Sequence, residues 1–450
     1  MPRGDPAPST TEGTVFALTD AETSELRPLA GRLHSLMMKD DFLNWTFLLA
    51  IREANLPLKL RHIYISQFPR FWKWEDHHHL ILTPYLRDLQ MTMLLKPAWP
   101  TTFKALAHLA PNIEFLSLDG QMVLTWGEEP LPGMDEHTLP SIGALLQLKT
   151  LRLPSISEAL LMKLLPRFAS LPRLEHLYSE SDSRHEHLEL VPSFVGFPAF
   201  RSLHWSHSVT LLPHLFQSIR SPNFSSLFIS QRKPIISFVL RDVLQCLTEL
   251  HGPTLTSFIY YVISPMWSND HDVDELQGRI TIHTLQPLLV CRNLTTLELT
   301  GQIEVRLLPE DIQRICDSLS KLQSFQAATD IADEDGNSLL TTIDLQPFSC
   351  LPDLERLFIQ FDGSDSTADQ LKSIPKSTSK LRSFDVSISV PPASARDFVS
   401  AVKKMFPRLE SLSYDTATDS TGSDGELFED KQKPTDWNKV SSLLKRKREI

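Results

Sequence analysis

The sequence predicts an α/β solenoid, a run of short strand–helix units stacked in chain order over most of the 450 residues. Two observations predict it: a short apolar pattern that recurs along the chain at near-constant spacing, and a common entry into that pattern.

The pattern is clearest at Leu294, Leu297 and Leu299, within Asn293-Leu294-Thr295-Thr296-Leu297-Glu298-Leu299. One residue separates the last two leucines, so they share one face of a strand, and Leu294 turns the incoming chain beneath it. The same core stands earlier at Leu60/Ile63/Ile65, Leu86/Leu89/Met91, Ile113/Leu116/Leu118, Leu148/Leu151/Leu153, Leu174/Leu177/Ser179, Phe200/Leu203/Trp205, Phe224/Leu227/Ile229 and Leu255/Phe258/Tyr260. It returns at Leu322/Phe325/Ala327, Leu354/Leu357/Ile359, Leu381/Phe384/Val386 and Leu409/Leu412/Tyr414. These 13 units begin 24 to 39 residues apart, about 29 on average, the span in which a leucine-rich repeat holds one strand and one helix. The entry repeats as Leu171-Pro172-Arg173-Leu174, Leu351-Pro352-Asp353-Leu354 and Phe406-Pro407-Arg408-Leu409, each proline ending a helix and extending the chain into a strand.

The expected architecture is a leucine-rich-repeat solenoid, an irregular horseshoe of about 13 repeats with an N-terminal helical cap. Residues 1–19 read as disordered. Residues 20–57 read as a helical cap or as a degenerate form of a separate small helical module, with Leu33, Leu36 and Met37 and then Phe42, Trp45, Leu48 and Leu49 at helix spacing. The solenoid occupies 58–415, and Thr284–Val290 is expected to be one of its helices. Residues 416–450 form a mostly disordered tail with a short helix near 435–444 and a basic end. The longest gaps place loops at 126–138 and 265–274.

Composition excludes several classes. A net charge of −11 argues against a generic nucleic-acid surface. The sequence has no run of 18 apolar residues and no apolar leader at its start, so neither a membrane span nor secretion is expected. The four cysteines at 246, 291, 316 and 350 are far apart and are expected as buried, reduced thiols, which places the chain in the cytoplasm or nucleus. His77-His78-His79 and His185-Glu186-His187 lack the spacing of a metal site, and the acidic run 333–337 lacks the first and twelfth ligands of a calcium loop. No phosphate-binding loop or nucleophile elbow occurs, so no enzyme, metal or cofactor is expected.

Residues between the core positions of each strand face the hollow of the horseshoe. That row holds Tyr178, His204, Phe228 and Ile259 on consecutive units, with Tyr261 beside Ile259. Clustered aromatics on a rigid face are typical anchors of a protein interface, so these five residues are the candidate protein-binding site of a monomeric chain. Lys445, Arg446, Lys447 and Arg448 form a candidate nuclear import signal.

The run Thr284-Leu285-Gln286-Pro287-Leu288-Leu289-Val290-Cys291-Arg292-Asn293-Leu294-Thr295-Thr296-Leu297-Glu298-Leu299, continued through Leu308-Pro309-Glu310-Asp311-Ile312 to Leu322-Gln323-Ser324-Phe325, resembles fungal F-box/leucine-rich-repeat proteins. The resemblance covers the repeats, most clearly 200–415. It implies a substrate-recognition subunit of a Skp–cullin–F-box ubiquitin ligase, with a protein partner on the concave face and the Skp adaptor on an N-terminal F-box. On this resemblance residues 20–57 are a degenerate F-box-like segment, without the Leu-Pro-x-Glu helix start and tryptophan-bearing third helix of the family. A protein-interaction scaffold without ligase contact is the alternative.

Overall fold

A computed structural model describes residues 19–30, 32–38, 48, 50–51, 54, 58–66, 78–79, 81–92, 99–119, 139–153, 156, 158–180, 194–263, 278–327, 340–364, 366–387, 389–414 and 436–446. The histidine run at 185–187, the acidic run 333–337, the loops at 126–138 and 265–274, and residues 1–18 and 415–435 lie outside them. The chain divides into two compact units, Met1–Pro192 with Gly196–Pro198, and Ser193–Val195 with Ala199–Ile450.

The first unit carries β1 (Ser35–Met38), β2 (His62–Ile65), β3 (Asp88–Thr92), β4 (Phe115–Asp119), β5 (Thr150–Arg152) and β6 (His176–Glu180). Each pairs in parallel with the next, so that Leu36, Ile63, Leu89, Leu116, Leu151 and Leu177 stand side by side. Parallel neighbours need a crossover between them. Here α1 (Asp20–Ala30) precedes the ladder, and α2 (Trp99–Leu109), α3 (Leu139–Ile142) and α4 (Glu158–Ala169) lie in the connections.

The second unit repeats the plan with β7 (Ser202–Ser206), β8 (Ser226–Gln231), β9 (Ser257–Val262), β10 (Thr296–Gly301), β11 (Ser324–Ala327), β12 (Arg356–Ile359), β13 (Ser383–Asp385) and β14 (Ser411–Ser413). Its aligned core row is Leu203, Leu227, Phe258, Leu297, Phe325, Leu357, Phe384 and Leu412. Between strands run α5 (Leu212–Ser218), α6 (Ser237–His251), α7 (Ile282–Leu285), α8 (Pro309–Ser318), α9 (Ala368–Ser373) and α10 (Ala395–Met405), with α11 (Asp436–Arg446) last. Burial alternates along the strands, and the inward residues meet the connections: the Phe325 ring of β11 lies 5.0 Å from Phe348 in the 3-10 turn Thr342–Cys350.

A second regularity seals the strand entries. Between neighbouring strands of each unit, the carbonyl of the residue after the first-position core residue accepts two backbone N–H groups from the following strand. Arg87 O accepts from Glu114 and Phe115, Thr256 O from Thr295 and Thr296, and Glu355 O from Arg382 and Ser383. In the second unit, hydroxyls add to this edge: Thr256 donates to Ser225 O at 3.1 Å and Thr295 to Thr256 O at 3.0 Å. In the first unit charge does so, with Glu114 between Arg87 at 2.8 Å and Lys149 at 2.7 Å. The Lys149 hydrogen bond is the main cause holding the Glu114 carboxyl below its ordinary range.

The structure corrects three expectations. Ser35–Met38 is a strand, not part of a helical cap, and pairs with β2. Leu33, Leu36 and Met38 repeat the strand core 27 residues before Leu60, so the ladder begins one unit earlier than expected. The segment 284–290 is mostly a 3-10 turn, Gln286–Val290, because Pro287 lacks the N–H that would extend α7. Cys350 is exposed at the end of its 3-10 turn, and Cys246 is half-buried; only Cys291 and Cys316 are buried, and all four are free. The helix expected near 435–444 is α11, and it is packed: Trp437 is buried between Phe361 and Phe398, with ring centroids 6.1 and 5.3 Å away, and donates to Ser389 O at 3.0 Å.

Candidate functional site

The strands of the second unit present their outward residues in two aligned rows, with a third on the longer strands β7–β10. The central row is His204, Phe228, Ile259, Glu298, Gln326, Phe358, Asp385 and Ser413. Pairing fixes their order and spacing, because a one-residue slip would turn every side chain to the other face and expose the core.

The His204 and Phe228 rings are in contact, with centroids 4.1 Å apart and planes tilted by 50°, and both are half-buried. Ile259 stands beside Phe228 and is also half-buried. Tyr261, opposite Ser230 and Thr300, is 38% exposed, and Ile263 just beyond it is 44% exposed. These residues form a continuous apolar ridge across β7, β8 and β9. Tyr178 belongs to the first unit, where the Arg152 guanidinium sits over its ring, 4.6 Å from the centroid. That is cation–π geometry, which occupies one face of the ring.

Beside the ridge runs a row that the sequence reading missed: Ser202, Ser226, Ser257, Thr296, Ser324, Arg356, Ser383 and Ser411. All but Arg356 are small hydroxyl residues. The signal was available, because a serine or threonine directly precedes the second core residue in seven of these eight units. The corresponding row of the first unit has no such run, holding Ser35, His62, Asp88, Phe115, Thr150 and His176.

The electrostatics change along the central row. Beyond the apolar ridge come Glu298 and Asp385. Glu298 accepts the Ser324 hydroxyl at 3.0 Å, and Asp385 accepts the Ser387 N–H at 2.9 Å. Beneath the ridge burial shifts the titratable groups towards their neutral forms. Burial raises the Tyr260 phenol, whose oxygen accepts the Ile235 N–H at 2.8 Å, and lowers His207 to about 3. His251 is lowered by burial as well, with its ring 4.9 Å from Phe224. These groups brace the connections from inside.

Of the candidate import residues, Lys445 is exposed on the last turn of α11, Arg446 ends that helix, and Lys447 and Arg448 lie outside the described residues. Of the histidine run at 77–79, His78 and His79 are described, and their rings stack edge to face. Among the described residues no three His, Cys, Asp or Glu side chains form a group that could hold a metal ion, and no helix is long and apolar enough to cross a membrane.

No protein-family model matches this chain, and no curated protein matches it by sequence. Among solved structures it is similar to one titled "Crystal structure of Rad7 and Elc1 complex in yeast", at 16% identity over 87% of this chain and 90% of that one, with a TM-score of 0.39.

Proposed function

We propose that this chain is a non-enzymatic, intracellular protein-binding solenoid whose recognition surface is the outward face of β7–β9. The observation that carries this reading is the ridge of His204, Phe228, Ile259 and Tyr261, a set of aromatic and aliphatic side chains at fixed strand spacing with Tyr261 left open. Contiguous exposed apolar surface on a rigid scaffold favours association, because its burial removes water from area that the scaffold cannot rearrange to hide.

The particular role we propose is substrate recognition within a Skp–cullin–F-box type ubiquitin ligase, supported by the resemblance carried by residues 284–325. A scaffold without ligase contact is the second reading. It is favoured by β1, which draws Ser35–Met38 into the ladder and removes part of the stretch an F-box would use. Capture of the full-length chain from its own cells, read by mass spectrometry, separates the two. Recovery of the Skp adaptor and a cullin supports the ligase role. A stable partner without either of them overturns it in favour of the scaffold.

A further inference from the structure

We infer that the outward face of β7–β14 takes a partner segment that pairs an apolar side chain with basic side chains. This rests on the binding role proposed for the face and names the chemistry of its occupant.

The ridge supplies the apolar half of that face, and two carboxylates further along the same row supply the charged half. Adjacent strands lie about 4.8 Å apart, so Glu298 stands about 10 Å from Phe228, and Asp385 about 14 Å beyond Glu298. Both carboxylates are half-buried on the same row as the ridge. Their hydrogen-bond donors are the Ser324 hydroxyl and the Ser387 amide and hydroxyl, all neutral. Among the described residues neither carboxylate has a basic ion-pair partner. The other charged side chain on these rows is Arg356, exposed on β12 between them, and His204 is the remaining titratable group beside Tyr261.

A carboxylate whose partners are neutral donors attracts a cation more strongly than one already paired with a base. The serine and threonine row alongside leaves a shelf of small side chains broken only by Arg356, along which a partner backbone can approach the ridge. The matching ligand is therefore a peptide segment running across the strands. It places a large apolar residue on Phe228 and Ile259, and a lysine or arginine at Glu298 with another near Asp385. Arg356 disfavours a base opposite β12.

The test is selection of a random displayed peptide library on the full-length chain, repeated on Glu298→Gln/Asp385→Asn and on Phe228→Ala, with denaturant midpoints confirming folding. The expected winners on the wild type carry an apolar residue and at least one lysine or arginine. Their affinity should fall about two- to five-fold for each carboxylate neutralised, with the loss shrinking at high salt. Winners that are apolar but show no preference for basic residues, or whose affinity ignores the carboxylate changes, overturn this inference and leave the binding face standing. Absence of enrichment, or winners indifferent to Phe228→Ala, overturns the face itself.

Discussion

The His204 and Phe228 rings stand 4.1 Å apart on neighbouring strands, tilted by 50°. Strand pairing puts their backbones opposite one another, and the ring contact then holds both side chains in one place. An aromatic held this way loses little rotamer freedom when a partner covers it, which is what an efficient binding anchor requires. Tyr261, two residues beyond Ile259, extends the same ridge.

The repeat register predicts the cost of Leu297→Ala. Leu297 is buried, with Phe258 on one side and Phe325 on the other. Removing its branched end leaves a cavity that the paired strands cannot close, so a loss of about 2–5 kcal/mol is expected in denaturant unfolding. A midpoint near that of the wild type would contradict the register.

Gly301 closes β10 with φ +85, and a Cβ there would run into the Val262 carbonyl oxygen of β9. Gly301→Ala should therefore cost at least about 1 kcal/mol, from backbone strain together with the lost strand contact. Equal stability of the variant and the wild type would show that this turn relaxes freely.

His207 gives the pH dependence a direction. Burial lowers its pKa from the ordinary 6.5 to about 3, and its ring lies 5.1 Å from Trp205. Below pH 6.5 the unfolded chain takes up a proton that the folded chain refuses. The stability from a neutral His207 is thus complete above pH 6.5 and is lost as pH falls towards 3, by up to about 1.4 kcal/mol per pH unit. Denaturant midpoints measured across that window should fall less steeply for His207→Leu than for the wild type. Parallel curves would contradict the assignment.

Trp437 fastens the last helix to the end of the ladder through Phe361, Phe398 and the Ser389 carbonyl. Trp437→Ala should destabilise the chain by about 3–5 kcal/mol, with the effect concentrated in the C-terminal repeats because each unit contacts only its neighbours. Limited proteolysis would then cut first near α10. Unaltered cleavage would show that α11 contributes nothing to that end.

Repetition decides what was legible in the sequence. Each of the 13 Leu-x-x-Leu-x-Leu cores lies on a strand, because its alternate apolar residues stack on the same positions of the neighbouring repeats, and that demand recurs at every unit. Leu33/Leu36/Met38 was misread because Leu33, Leu36 and Met37 also fit a helix face, and the two periods cannot be told apart over six residues. The docking of Trp437 was hidden because its partners, Phe361 and Phe398, are distant in sequence and belong to no repeat position. The ridge was legible as identities in the central row, and the hydroxyl row was equally periodic. What the sequence could not show is that Arg152 covers Tyr178, or that Glu298 is met by a neutral serine. Those depend on rotamers set by neighbouring strands.

The central claim is that the ridge on β7–β9 binds a protein. The most direct measurement is quantitative capture of partners from the chain's own cells by the wild type, by Phe228→Ala/Tyr261→Ala, and by Leu146→Ala as an exposed control in the first unit. The ridge variant should lose about 1–3 kcal/mol of affinity for each captured partner while keeping its fold, and the control should lose none. Equal recovery by all three would contradict the claim.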